Sequence, residues 1–148
     1  MTATRSLRNV LCLLVLGAMA TPVFAQPDPA TLAANCISAL ETKSTRCAEH
    51  LATLGGNVAT RVNELQADGT AEGAMRAARA GARAVNTGAE RCVAELQRMA
   101  RRCVQALERL EASDELVESV RGAGRTAIQT VNEARRGALE AIRTAVED

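Results

Sequence analysis

Apolar residues recur along residues 32–65 at steps of four, four and three: Leu32, Cys36, Leu40, Cys47, Leu51, Leu54, Val58, Val62 and Leu65, with Lys43 interrupting. Eleven residues complete three helical turns, so this spacing predicts one long amphipathic helix, straight or wound slightly right-handed. Asp28-Pro29 supplies an N-cap followed by proline at the first helical position. Asp68-Gly69-Thr70 then reads as a stop and a restart, with Gly69 at a C′ position and Thr70 as the next N-cap. A second arm over 71–112 follows. Ser113 ahead of Asp114 and Glu115 opens a last helix over 114–147. Its stripe is Leu116/Val117, Val120, Gly124, Ile128, Val131, Ala138, Ile142 and Ala145/Val146, with Gly122 and Gly124 as its weak point. Gly55-Gly56-Asn57 lies inside the first arm, and each glycine costs a helix interior about 1 kcal/mol relative to alanine. Two layouts stay open there: a break near Leu54 giving four helices, or one kinked, continuous arm.

The cysteines sharpen the pattern. Cys36 and Cys47 are eleven apart, as are Cys92 and Cys103. Within a helix that is about 16 Å, too far for a disulfide, whose Cα atoms lie within roughly 7 Å. The same distance rules out one four-cysteine zinc site. An antiparallel hairpin centred on Gly69-Thr70 brings Cys36 opposite Cys103 and Cys47 opposite Cys92. The same reflection sets Leu51 against Gly88, Val58 against Gly81 and Lys43 against Leu96. The expected fold is all-α: a disulfide-stapled antiparallel helical hairpin extended by the last helix into a three- or four-helix bundle, or coiled coil. In outline this is similar to coiled-coil-helix proteins stapled by twin Cys-x9-Cys pairs. The spacing here is x10 and the arms are longer, so no function is carried over.

Residues 1–25 read as a secretory signal peptide: Arg5 and Arg8, an apolar run from Val10 to Ala20, then Pro22 and Val23-Phe24-Ala25 ahead of a cut after Ala25. Cys12 lies in the apolar run without the small-residue box of a lipoprotein signal. Residues 26–148 then form a single helical domain with four cysteines, an even count that suits an exported, periplasmic or extracellular chain. The Arg-rich, Lys-poor composition suggests a bacterial origin.

Composition narrows the chemistry. The 148 residues carry 18 basic and 17 acidic groups; losing Arg5 and Arg8 leaves 16 against 17, giving no bulk charge for a nucleic-acid partner. Phe24 is the sole aromatic and leaves with the signal, so stacking groups for single strands are missing. His50 is the sole histidine, and no G-x-S-x-G, phosphate-cradling glycine loop, H-E-x-x-H or C-x-x-C occurs. No catalytic residue, cofactor or metal ligand is therefore assigned, and the cysteines are structural. Arg76, Arg79, Arg83, Arg91, Arg98, Arg101, Arg102 and Arg109 outnumber four glutamates in the second arm. The eight acids of 111–148 are expected to neutralise them. The reading is a non-catalytic structural or protein-interaction module, meeting a protein partner or a second copy. An amphipathic-helix protein of lipid or membrane surfaces is the alternative.

Overall fold

A computed structural model describes residues 28–147; the signal peptide expected over 1–25 lies outside the described residues. Three long helices run up, down and up: α1 Pro29–Ala67, α2 Ala71–Arg109 and α3 Asp114–Glu147. Alternate directions make α2 antiparallel to both neighbours and α1 parallel to α3. At about 1.5 Å per residue the bundle is a rod roughly 58 Å long.

α1 starts as its first residues dictate. The Asp28 side chain accepts a hydrogen bond from the Thr31 amide at 3.0 Å, and Pro29 occupies the first turn. That bond holds the Asp28 carboxyl below its ordinary pKa. α1 then runs without interruption through Gly55-Gly56, which decides for the three-helix layout. The physical reason is on the other side of the helix: Gly55 is buried against Ala138 of α3, so packing compensates for poor helix propensity.

Both turns close with the same device. At the end of α1 the Thr70 amide donates to the Leu65 carbonyl and the Gly69 amide to that of Gln66, with Gly69 at φ +74°. This is a Schellman closure, and it needs the left-handed conformation that glycine adopts freely. Thr70 departs from expectation: its hydroxyl donates back to Leu65 rather than capping α2. At the end of α2 the Ala112 and Glu111 amides donate to Leu107 and Glu108, and Glu111 takes φ +52°. The second arm consequently ends at Arg109, short of the expected residue 112. Because a left-handed non-glycine residue costs roughly 1 kcal/mol, Glu111→Gly should raise the stability by about 1 kcal/mol. A chemical-denaturation midpoint checks this.

The core runs the length of the rod, with Leu40, Leu51, Val62, Val85, Leu96, Leu107, Val120 and Val131 all fully buried. The reflected register holds: a Cβ on Gly88 would meet Leu51, and one on Gly81 would collide with Val58. Small residues on α2 thus let α1 lie close. Lys43 carries its ammonium to Glu95, beside the opposed Leu96, at 2.5 Å, and Leu96 is fully buried. α3 is continuous past Gly122 and Gly124. Gly124 is buried, and a Cβ there would come 3.0 Å from that of Ala100. Ala127 is buried where Ile128 was expected; Ile128 is only half-buried.

α1 buries a second face that the apolar stripe does not mark. Ser44 and Ala127 line one small cavity, Gly55 abuts Ala138, and Gln66 Nε2 donates to the Val146 carbonyl at 3.2 Å. Residues 44, 55 and 66 step by eleven, as do 127 and 138, so α1 and α3 keep one parallel register. The Ser44 hydroxyl satisfies itself on the Glu41 carbonyl, which removes the cost of burying it.

Candidate functional site

The cysteines are where the hairpin register requires. Cys36 joins Cys103 and Cys47 joins Cys92, with Cα–Cα separations of 6.0 and 6.2 Å. Both bridges tie α1 to α2 across the buried seam; Cys36 and Cys47 are buried and their partners are half-buried. One bridge leaves a pair of helices free to pivot. Two, set three turns apart, fix rotation and sliding together. Disulfides of this kind belong to an oxidising, exported environment.

His50 is exposed on α1; Asp114 and Glu115 are exposed in the first turn of α3, at its positive dipole end. Among the described residues, no group of three or more His, Cys, Asp or Glu side chains is placed to hold a metal ion. Nor is any helix among them long and apolar enough to cross a membrane.

A groove of about 550 Å³ lies between α2 and α3 over Ala100, Val104, Gly124 and Ile128, with Arg101, Glu108 and Arg121 at its rim. Arg121 holds Glu118 at 2.6 Å and reaches Glu108 at 3.4 Å. The hydrogen bond from Arg121 keeps the Glu118 carboxyl below its ordinary range, and the same bond raises Arg121. Further along, Arg135 Nε donates to Asn86 Oδ1 at 2.7 Å, a half-buried link between the same helices. These groups explain one another as packing and pairing, and the groove is open to solvent.

Among the described residues, no acid of α3 pairs with an arginine of α2, contrary to expectation. The ion pair that spans α2 and α3 runs the other way, from Arg121 to Glu108. The acids of α3 that form ion pairs do so within α3: Glu118 with Arg121 and Arg125, Glu140 and Glu147 with Arg143. The reason is helical phase. Arg91, Arg98 and Arg102 lie at i−4, i+3 and i+7 from Glu95, which faces Lys43 of α1. They point to the α1 flank, away from α3. Arg109, seven beyond Arg102, continues that line. None of the four forms an ion pair among the described residues, and all are exposed. Charge counting along the chain missed this; the wheel phase relative to Cys92 and Cys103 is the signal that marks it.

Comparison with known proteins returns no match: no family model, no curated protein and no solved structure.

Proposed function

We propose that this chain is a non-catalytic, exported structural module that holds a rigid rod in place for a protein partner or a second copy to grip along one side. The observation that carries the reading is the pair of cross-helix disulfides three turns apart, which locks the relative rotation of α1 and α2. Fixed rotation keeps exposed residues of two helices in constant register over the length of the rod. Met75 is the one large hydrophobic side chain exposed among the described residues, so the bundle does not need to open to satisfy its apolar surface. That favours this reading over an amphipathic helix that unfurls onto lipid, which would also have to overcome both staples. Residues 1–25 act as the secretory signal, and the folded chain resides in a periplasmic or extracellular space of a bacterium.

The test combines location with contact. Amino-terminal sequencing of the exported protein should begin at Gln26. Photo-crosslinkers at exposed Thr53, Arg83 and Gln129, one on each helix, should yield a discrete adduct from one face at native expression. Monomer alone from all three, or equal smearing from all, would overturn the reading.

A further inference from the structure

The side of the rod where α1 meets α2 carries a line of positive charge that the fold leaves without partners. Arg91, Arg98, Arg102 and Arg109 share that flank of α2, over about 27 Å of helix. Lys43 faces it from across the seam, where it bonds Glu95, and Arg46, three residues further along α1, shares the face of Lys43. The carboxylate in this stripe is Glu95, held below its ordinary pKa by the hydrogen bond and charge of Lys43, with Arg98 adding to the pull. Against a chain with nearly balanced total charge, such an array is a strong local asymmetry.

We propose that this face docks the rod lengthwise on an anionic phospholipid surface, with Arg46 and the four α2 arginines meeting headgroup phosphates and the helices staying closed. Three features choose that occupant. The array is long and exposed, whereas the groove over Ala100 and Gly124 lies on the α2–α3 side; a flat lattice of phosphates suits it better than a single enclosed anion. The exposed large hydrophobic side chain, Met75, stands near the start of α2 and outside the array, so attachment is electrostatic and without insertion. The staples hold Lys43 and Arg46 in line with the α2 arginines, so no ordering of the face is needed on contact. This goes beyond the rod's proposed grip on a protein partner and does not depend on it.

The disulfide-bonded protein is to be sedimented with phosphatidylcholine vesicles, with and without phosphatidylglycerol. Binding is expected only where phosphatidylglycerol is present. It should vanish at about 1 M salt, where the screening length falls to about 3 Å. Each arginine near a charged surface contributes roughly fivefold in affinity. The quadruple variant Arg91→Gln, Arg98→Gln, Arg102→Gln and Arg109→Gln should therefore lose roughly two orders of magnitude or more. A variant of equal net charge, with Arg79, Arg83, Arg101 and Arg136 changed to Gln on other flanks, should bind as the wild type does. Circular dichroism confirms that both variants are folded. Absence of binding to the anionic vesicles, or equal loss in the two variants, overturns the proposal. So does tighter binding to duplex DNA or polyglutamate at the same salt, which would make the face a site for a soluble polyanion.

Discussion

Replacing all four cysteines by alanine is expected to lower the unfolding free energy by about 7 kcal/mol, estimated from the loops the bridges close in the unfolded chain. The bridges span 67 and 45 residues, and the second loop is nested inside the first. With Cys47–Cys92 intact, Cys36–Cys103 closes a ring of only about two dozen residues, worth about 3.5 kcal/mol. Removing either bridge alone should thus cost about 3 kcal/mol, and removing both about 1 kcal/mol more than the two single losses together. Since domains of this size are stable by about 5–15 kcal/mol, the loss removes roughly half or more of the stability of the oxidised protein. Urea titrations of the three variants read this directly. The slope of unfolding should also steepen, because an uncrosslinked chain exposes more surface. A total loss under about 2 kcal/mol with an unchanged slope would mean that the unfolded chain already keeps the hairpin together.

Adjacent glycines in α1 should respond with opposite sign. A Cβ on Gly55 would come 2.7 Å from both the Cα and Cβ of Ala138 and 2.9 Å from its carbonyl oxygen. The obstacle is main chain, which cannot rotate aside, so α1 and α3 must separate. Overpacking of this kind reaches about 3 kcal/mol, against a gain in helix propensity of about 1 kcal/mol. Gly55→Ala should therefore lose about 2 kcal/mol, or about 8 °C in Tm. A Cβ on Gly56 would meet nothing within 4 Å, so Gly56→Ala should gain about 1 kcal/mol. Thermal unfolding of the two variants side by side tests the α1–α3 contact with propensity held constant. Equal shifts of the same sign would mean that the close approach at Ala138 is relaxed in solution.

The α1–α2 seam was legible because three signals there agree: the Gly69 turn, the eleven-residue cysteine spacing and the pairing of large residues with Gly81 and Gly88. None of them involves α3. The face of α1 toward α3 is built from Ala33, Ser44 and Gly55, side chains too small or too polar to register as an apolar stripe. Read by hydropathy, Gly55 is a helix breaker; read by an eleven-residue recurrence of small residues, it is a point of contact. Leu54, Val58 and Leu65 stand on the edge of the α2 seam and are only half-buried, because α1 divides its buried surface between two neighbours. The end of α2 was missed for a different reason: Glu111 takes a left-handed conformation that its residue type does not advertise. The basic flank escaped charge counting because its neutralisation depends on the azimuth of each arginine, and numbers of charges along a helix carry no azimuth.

An odd number of helices puts the start of α1 and the end of α3 at opposite ends of the rod, and the bridges decide how such a molecule bears tension. Force applied between residues 28 and 147 passes from Cys36 directly to Cys103, so the hairpin between them is shielded from load. Only the first turns of α1, the last turns of α2 and α3 can pay out. Fully drawn, the oxidised chain reaches roughly 180 Å at about 3.5 Å per residue, whereas the reduced chain would reach roughly 420 Å. α3 is the extensible part and the stapled hairpin is the stop, so the thiol state of the surroundings sets the length at which this molecule refuses to stretch further.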